Sequence, residues 1–291
     1  MDRGKIKIFL YVFDSGSFTQ AAAAYGYTTS GISHMMSSME EEFGFPLLIR
    51  SRTGVKPTVN AEKIIPILRS QLSWDEQLQQ TISEINGMNS GDITIAAYSS
   101  IASQWLPRVI SRFHRDYPAI RIHLLEGVWQ EVADYLAEHR ADMGFYSYQN
   151  SIKYHWVPLK KDRMVVLVPP DHPLAEKKSV GLAQLEQEQI IMPAYGMDID
   201  VQNLFKGKSL KYQFTTMENY SAFGLVEQGL GIMVTNELST KVREIRARCI
   251  PLDPEASISL GVAFPPDARL TPAAAKFIEY TKFIIRDSSV F

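Results

Sequence analysis

Hydrophobic and polar positions at the start of the chain repeat with the period of an α-helix, in stretches separated by glycines. The apolar face of the first stretch consists of Ile6, Phe9, Leu10 and Phe13. Gly16 can adopt the left-handed conformation that follows a helix end, and Ser17 and Gln20 have the spacing of a capping box. Four alanines at 21–24 would let the second helix cross the first closely. The pattern predicts two short helices packed together.

A third helix is predicted from Thr28, a favourable N-cap, to about Glu42, with Gly44 and Pro46 ending it. Its predicted buried face consists of Ile32, Met36, Met39 and Phe43. Its opposite face carries short polar side chains, namely Thr29, Ser30, Ser33, His34 and Ser37. Hydroxyl and imidazole groups suit a helix in a DNA major groove, because they reach base edges and phosphates without steric bulk. An ordinary solvated helix face is the alternative interpretation.

The segment from Leu47 to Lys56 alternates like a short β-ribbon around a glycine turn. Arg50, Arg52 and Lys56 lie on this ribbon, where the basic residues of a wing that contacts the phosphate backbone are expected. The ribbon therefore favours DNA recognition by the third helix. The predicted DNA-contacting set is Ser17, Thr19, Gln20, Thr28, Thr29, Ser30, Ser33, His34, Ser37, Arg50, Arg52 and Lys56.

A longer helical pattern extends from about Val59 to Asn86, and turn-forming residues at 86–91 follow it as a hinge. Its apolar residues recur at threes and fours and are Ile65, Leu68, Leu72, Leu78, Ile82 and Ile85. We expect this seam to pair with a second copy of the chain or to pack on its own chain. Pro66 is expected to kink the helix or to divide it into two segments.

Beyond the hinge, strand-like and helix-like runs alternate, which is typical of an α/β domain with a largely parallel sheet. Strands are predicted at 93–96, 120–124, 143–146, 164–168 and 231–234, and helices at 103–116, 132–138, 219–228 and 272–285. Crossings between two lobes are predicted at Pro169-Pro170 and at 262–266. Lobe I would then span about 91–166 and 267–291, and lobe II about 167–266.

Ligands of open α/β sheets bind outside the carboxyl ends of the strands. The polar and aromatic residues predicted to bind a ligand there are Ser99, Ser100, Trp129, Tyr146, Tyr195, Glu218 and Asn219. Ser99 and Ser100 precede a predicted helix, where hydroxyls and free amides can meet a carboxylate, although one serine is expected to be a plain N-cap. We therefore predict a small organic acid as ligand. A neutral ligand is the alternative, because no arginine is clearly placed nearby.

Composition bounds the class of protein. The chain has 291 residues, of which 45% are hydrophobic, as in a soluble globular protein of about two domains. The single cysteine, Cys249, excludes an intrachain disulfide and is expected to be buried. The apolar runs are too short to span a bilayer and no cleavable leader is recognisable, so we expect a cytoplasmic protein with no membrane partner.

Charge neither supports nor excludes DNA binding. The formal net charge of −2 argues against a nucleic-acid partner when taken alone. Within residues 1–62 the charges balance, with Arg3, Lys5, Lys7, Arg50, Arg52 and Lys56 against Asp2, Asp14, Glu40, Glu41, Glu42 and Glu62. The acids cluster at 40–42 and the bases at 50–56, so a basic patch can still face phosphate.

Motifs for catalysis are missing from the sequence. It contains no Gly-x-Ser-x-Gly, no Gly-x-x-x-x-Gly-Lys and no His-Glu-x-x-His, and its histidines lack metal-ligand spacing. Gly229-Leu230-Gly231 follows a predicted helix, so we interpret it as a tight connection to a strand. We expect no catalytic residue, metal or cofactor. A solute-binding protein using only the C-terminal half and an enzyme with a dispersed active site are the alternatives.

Many positions also stand in the order and spacing of the winged helix-turn-helix of LysR-type transcriptional regulators. In the first sixty residues these are Val12, residues 15–19, Ala21, Ala22, Ser33, Glu40, Gly44, Leu47, Arg50 and Thr58. Tyr25 and Met39 stand where the family pattern has leucine, and residues 48–50 and 57–61 also differ from the pattern. Most of these differences replace one apolar residue with another. Further matches are Leu106-Pro107, Tyr117-Pro118, Glu126-Gly127, Ala141-Asp142, residues 172–175 and residues 229–232. The resemblance covers nearly the whole chain.

This resemblance implies an all-α winged helix-turn-helix domain at 1–58 and a linker helix with hinge at 59–90. It further implies an α/β two-lobed, periplasmic-binding-protein-like effector domain at 91–291. The implied function is sequence-specific transcriptional regulation, modulated by a small-molecule effector between the lobes. The implied partners are double-stranded promoter or operator DNA and a second copy in a homodimer or homotetramer, with RNA polymerase as a further candidate.

Overall fold

The computed structural model describes residues 2–51, 54–85, 91–208, 210–264 and 270–286. The chain divides into two compact units, the first formed chiefly by residues up to Ile82 and the second by most of the residues after it. The elements of the N-terminal unit are α1 (Arg3–Ser15), α2 (Phe18–Tyr25), α3 (Thr29–Phe43), β1 (Leu48–Ser51), β2 (Gly54–Pro57) and α4 (Val59–Ile85).

The elements of the C-terminal unit are more numerous and alternate between strands and helices. In chain order they are β3 (Gly91–Ala97), α5 (Ser99–Gln104), α6 (Leu106–Asp116), β4 (Ile120–Glu126), α7 (Trp129–Ala137), β5 (Met143–Ser147), β6 (His155–Val168), α8 (Leu182–Leu185), β7 (Gln189–Met192), α9 (Ile199–Leu204), β8 (Lys211–Thr215), α10 (Asn219–Glu227), β9 (Met233–Asn236), α11 (Glu237–Thr240), β10 (Arg248–Pro251), β11 (Ser257–Phe264) and α12 (Pro272–Arg286).

The first three helices begin and end where local sequence predicts. Ser17 Oγ accepts a hydrogen bond from the backbone N–H of Gln20, and Thr28 Oγ1 accepts one from Gly31. Each helix is followed by a glycine with positive φ, namely Gly16, Gly26 and Gly44. Glycine adopts this conformation without the steric cost that a Cβ atom would add. These caps fix the helix lengths and thus the position of α3.

The linker helix α4 differs from the prediction at Pro66. The helix runs unbroken for 27 residues with Pro66 inside it. A proline removes one backbone hydrogen bond, here to the carbonyl of Glu62. Pro66 and Glu62 are both exposed, so water can bind that carbonyl and the helix continues as one segment.

The apolar seam predicted along α4 is also partly wrong. Ile65 and Leu68 are buried in the core of their own unit, together with residues of α1 and α3, and Leu72 packs against that core. A second set of apolar residues on α4 stays exposed, namely Val59, Ile67, Trp74, Leu78, Ile82 and Ile85. The first set therefore anchors the helix to the rest of the N-terminal unit, whereas the second set is exposed.

The C-terminal unit contains a mixed sheet, where a largely parallel one was predicted. Seven strands of the described chain form it, in the order β10-β6-β11-β5-β3-β4 with β9 also paired to β6. β3 is parallel to β4 and β5, whereas β6 and β11 run antiparallel to their neighbours. The prediction failed because β6 runs from lobe I into lobe II and β11 runs back, so these two strands lie antiparallel to each other.

The crossings lie earlier than the predicted prolines. β6 pairs with β11 as far as Arg163 and then, from Met164 onward, with β9 and β10. The backbone N–H of Met164 donates to Ala256 O, immediately before β11 begins. Lobe I therefore consists mainly of residues 91–163 and 257–286, and lobe II of residues 164–256.

Several short elements escaped prediction. β7, β8, β10, α8 and α9 each span six residues or fewer, too few to show a period. The helix predicted at 103–116 is two helices, α5 and α6, with Pro107 in the first turn of α6. Cys249 is exposed on strand β10, so the expectation that it is buried was wrong. Among the described helices, none is long and apolar enough to cross a membrane.

Candidate DNA interface and ligand cavity

The polar face of α3 is open to solvent, whereas its apolar face is buried. Thr29, Ser30 and His34 are exposed and Ser33 and Ser37 are partly exposed. Ile32, Met36 and Met39 on the other side are 0% exposed. Short donors and acceptors on one side of a helix can meet base edges, because burial of the opposite side holds the helix in place.

The wing is an antiparallel pair of β1 and β2, with Arg50 opposite Val55. The Arg50 guanidinium donates a hydrogen bond to Ser33 Oγ at 2.9 Å and lies 4.9 Å from the centre of the Phe18 ring. Arg50 is therefore held between α2 and α3. A guanidinium has further N–H donors, and those can contact a phosphate without breaking this bond.

The remaining predicted DNA contacts are placed as follows. Thr19, Gln20 and Lys56 are exposed. Ser17 and Thr28 use their side-chain oxygens as caps of their own helices. Arg52 lies outside the described residues.

Sequence reasoning assigned Glu40 no contact of its own, but its carboxylate holds the wing. Glu40 Oε1 accepts hydrogen bonds from the backbone N–H groups of Leu47 at 2.8 Å and Leu48 at 3.1 Å. These amides lie at the start of β1, so α3 and the wing are joined through one side chain. The sequence signal for Glu40 was its place in the LysR-type pattern, and that pattern does not say what the side chain contacts.

We expect Glu40→Ala to loosen the wing, because two hydrogen bonds to a charged acceptor are lost at a cost of about 1.5–3 kcal/mol. Glu41→Ala, an exposed neighbour, is the matched control and should change stability by less than about 0.5 kcal/mol. Amide hydrogen exchange in the full-length protein would measure the effect at Leu47 and Leu48. Unchanged protection at these two amides in Glu40→Ala would show that the carboxylate does not hold the wing.

The C-terminal unit contains a cavity of about 490 Å³ between its two lobes. Five predicted residues line it, namely Ser99, Ser100, Trp129, Glu218 and Asn219. Ser99 Oγ of lobe I donates a hydrogen bond to Glu218 Oε2 of lobe II at 3.0 Å. Tyr98 is the N-cap residue of α5, so the expectation that one of the two serines fills that position was wrong.

Two predicted residues lie outside the cavity lining. Tyr146 is fully buried in an aromatic cluster, where its ring contacts Trp129 and Trp156 edge-on. Tyr195 is 63% exposed and has positive φ, and its neighbours Ala194 and Met197 line the cavity instead. Successive side chains along β5 point to opposite faces of the sheet, and this alternation directs Tyr146 into the aromatic cluster instead of the cavity.

Two family models match the chain, and each matches one of its units. A model described as "Bacterial regulatory helix-turn-helix protein, lysR family" matches residues 4–62. A model described as "LysR substrate binding domain" matches residues 86–282, more than half of the chain. The chain belongs to the LysR family.

This LysR-family protein is similar to known regulators over almost its whole length. It is 29% identical over 283 residues to the uncharacterized HTH-type transcriptional regulator YvbU of Bacillus subtilis (strain 168), which covers 96% of this chain and 97% of that protein. Full-length OxyR from Pseudomonas aeruginosa has the same fold, with a TM-score of 0.76 at 19% identity, covering 100% of this chain and 96% of the other. The effector binding domain of QuiR in complex with shikimate has a TM-score of 0.62 at 19% identity, covering 68% of this chain and 99% of the other. These comparisons confirm a DNA-binding transcriptional regulator with an effector-binding domain.

The cavity of this LysR-family regulator has a feature that sequence reasoning missed, a pair of carboxylates from the start of α9. Asp198 and Asp200 both line it. Asp198 is the N-cap of α9, where its Oδ1 accepts hydrogen bonds from the N–H groups of Asp200 and Val201. Asp200 Oδ1 accepts one from Gln149 Nε2 of lobe I at 2.8 Å. The pair was missed because α9 spans only six residues.

Burial of these groups changes their acidity. Desolvation, and next the neighbouring charge of Asp198, raise the pKa of Asp200 from 3.8 to about 7, against the opposing hydrogen bonds from Ser147, Gln149 and Tyr98. Desolvation also raises the pKa of Asp198, against the hydrogen bonds that its carboxylate accepts as a cap. Two buried like charges, with no basic side chain among the described residues that line the cavity, disfavour the ionised state of both.

We expect the stability of this regulator to depend on pH through Asp200. A carboxyl group whose pKa is raised by folding stabilises the protein below its unfolded pKa, and that contribution is lost as pH rises through its folded pKa. Between about pH 4 and pH 7.5, wild type should therefore lose on the order of 1–2 kcal/mol relative to Asp200→Asn, a figure discounted for partial solvent access. Urea unfolding followed by a probe in the C-terminal unit would measure this. Asp171→Asn, in an exposed turn, is the control, and a difference that does not change with pH would contradict the assignment.

Proposed function

We propose that this protein binds operator DNA through the polar face of α3 and the wing, and that a small molecule in the interlobe cavity alters that binding. The observation that carries the proposal is the match of both units to the two LysR-family models. The exposed polar face of α3 and the interlobe cavity support these two assignments. Acting on DNA, the protein would work in the cytoplasm and, at a promoter, beside RNA polymerase. The family relatives favour regulation over catalysis, since they are named transcriptional regulators.

The proposed base contacts are Ser33, His34 and the neighbouring hydroxyls of α3, and the proposed phosphate contacts are Arg50, Arg52 and Lys56. Side chains at the surface of a groove-binding helix read sequence, whereas basic side chains on a wing bind any duplex. The proposed effector contacts are Ser99, Ser100, Trp129, Glu218 and Asn219. The QuiR domain binds shikimate, which supports a small organic molecule as the effector class.

We also propose that α4 pairs two copies of the chain. Ile67, Trp74, Leu78 and Ile85 are 66%, 55%, 57% and 79% exposed, and they are separated by seven, four and seven residues. With Gln71 and Thr81 between them, they follow the alternating steps of four and three that place one stripe along a coiled-coil seam. A dimer supplies two DNA-reading helices for two half-sites about one helical turn apart, or a multiple of it.

The effector proposal can be tested in two steps. A thermal-shift screen of the full-length protein identifies a ligand, because binding to the native state raises the unfolding midpoint. Operator affinity is then measured with and without that ligand in wild type, Ser100→Ala and the control Ser103→Ala. Ligand affinity should fall in Ser100→Ala by roughly 3–10-fold, the value of one hydrogen bond. A ligand that binds but leaves operator affinity unchanged would contradict the proposal.

A further inference from the structure

Acidic side chains line the interlobe cavity, and among its described lining residues no basic side chain accompanies them. Three carboxylates line it, those of Asp198, Asp200 and Glu218. Among the described residues that line the cavity there is no lysine, arginine or histidine. A ligand in this cavity therefore meets three acidic groups and no basic one.

Hydrogen bonds in this region hold the carboxylates in place without balancing their charge. The donors are neutral in each case: two backbone N–H groups for Asp198, the Gln149 amide for Asp200 and the Ser99 hydroxyl for Glu218. The Gln149 amide is fixed in turn, since its Oε1 accepts a hydrogen bond from Asn203 at 2.7 Å. The acidic groups are thus positioned before any ligand arrives.

The rest of the cavity wall suits the apolar part of a cation. Trp129, Met197, Met217, Tyr220 and Phe223 line it. An aromatic face attracts a cation through its ring quadrupole, and Trp129 supplies such a ring, whereas Tyr220 and Phe223 already have the Arg243 guanidinium 5.2 and 5.8 Å from their ring centres. Apolar walls are usual in small-molecule sites. A cationic group beside the carboxylates and a hydrocarbon body against these side chains would satisfy both kinds of surface.

We propose that the effector of this regulator is a small organic cation, with an ammonium or amidinium group paired to Asp198, Asp200 and Glu218 and an apolar body against the aromatic and methionine side chains. This inference rests on the proposed role of the cavity as the effector site. It replaces the organic acid expected from the sequence, because the ionised members of these three acidic groups repel a carboxylate. A cation instead gains attraction from groups that are already buried and oriented.

The pH dependence of binding distinguishes the two ligand classes. The titratable groups that face Asp200 are Asp198 and the Tyr98 phenol, and Glu218 lines the same cavity. Deprotonation of Asp200 strengthens attraction for a cation, so cation binding should tighten as pH rises from about 5.5 to about 8. An organic acid would need the protonated carboxyl of Asp200 as a hydrogen-bond donor to its carboxylate. Binding of an organic acid should therefore weaken as pH rises over the same range.

Matched probes test the charge directly. Tyramine, tyrosol and 4-hydroxyphenylacetate share one aromatic body and carry an ammonium, a hydroxyl and a carboxylate, respectively. Agmatine is the second amine probe, and it carries an ammonium and a guanidinium on an aliphatic chain. At about 10 mM, we expect at least one of the two amines to raise the Tm of the full-length protein by roughly 3 °C, more at about pH 8 than at about pH 5.5. The carboxylate should raise it less than tyramine does. Greater stabilisation by the carboxylate, or none by either amine, would overturn the proposal.

Isosteric variants assign the effect to these residues. Asp200→Asn should weaken binding of the stabilising amine at least tenfold, as measured by calorimetry, and leave any tyrosol binding within twofold. Asp198→Asn should act similarly and still fold, because asparagine also caps helices well. Asp171→Asn, exposed and outside the cavity lining, is the control. Equal amine affinity in all four proteins would contradict the assignment. Operator binding without ligand is measured in parallel, so that a wrong ligand class is distinguished from failure of the regulator function itself.

Discussion

Replacing Trp74 and Leu78 with glutamate is expected to convert the full-length protein from dimer to monomer and to weaken operator binding by at least about 100-fold. Both side chains are more than half exposed on α4, and they lie one helical turn apart on the same stripe. Charge on a coiled-coil seam would be buried without a partner, so the dimer would dissociate. A monomer then loses the gain of binding two half-sites at once.

Light scattering gives the mass, and fluorescence anisotropy with a labelled operator gives the affinity. Gln79→Glu is the control, because it adds one negative charge to an exposed position beside the stripe. If the double variant keeps the mass of wild type, α4 is not the dimer interface. Substitutions at Leu68 would not be informative, since that residue is buried in its own unit and its loss would destabilise the fold.

Substitution of His34 by alanine is expected to cost roughly 1–3 kcal/mol of operator affinity and to relax sequence preference at the contacted base pair. Arg50→Ala should instead weaken binding to all duplexes to a similar extent and reduce the dependence of affinity on salt, because a phosphate contact is lost. His34 is exposed on α3, and Arg50 lies on the wing beside it. The measurement is a salt titration of anisotropy with operator and with a scrambled duplex.

Ser33 gives this experiment an internal test. Because the Arg50 guanidinium donates to Ser33 Oγ, Ser33→Ala and Arg50→Ala should not be additive. His34→Ala and Arg50→Ala have no hydrogen bond between them in the described structure and should add. Wild-type affinity in all of these variants would remove α3 and the wing from the DNA interface.

The N-terminal unit could be predicted because its signals are local. A capping serine or threonine and a glycine stop bound α2 and α3, and each acts within four residues of the helix end it fixes. The side of α4 that packs on its own unit was harder to predict. Apolar residues occupy two stripes of that helix, and only the tertiary contacts of Ile65 and Leu68 decide which stripe is internal.

The ligand cavity could be predicted only in part, because it joins distant segments. Ser99 and Glu218 are separated by 119 positions, and their hydrogen bond follows from the packing of two lobes. The chain crosses between the lobes within β6, where the sequence shows no break. Pro169-Pro170 is an obvious break, so the boundary was predicted too late in the chain. Asp198 and Asp200 lie in a segment without periodicity, so nothing in the sequence predicted that Asp200 contacts lobe I.

The central claim is that this protein recognises a particular DNA sequence through its N-terminal unit. The most direct test is to select bound duplexes from a random pool with the full-length protein and to compare the affinity for the selected sequence with that for its scrambled version. At physiological salt, we predict that the selected duplex binds at least about 1,000-fold more tightly, as specific regulators do. Affinities within about threefold of each other would contradict the claim, because phosphate contacts alone give binding without sequence preference.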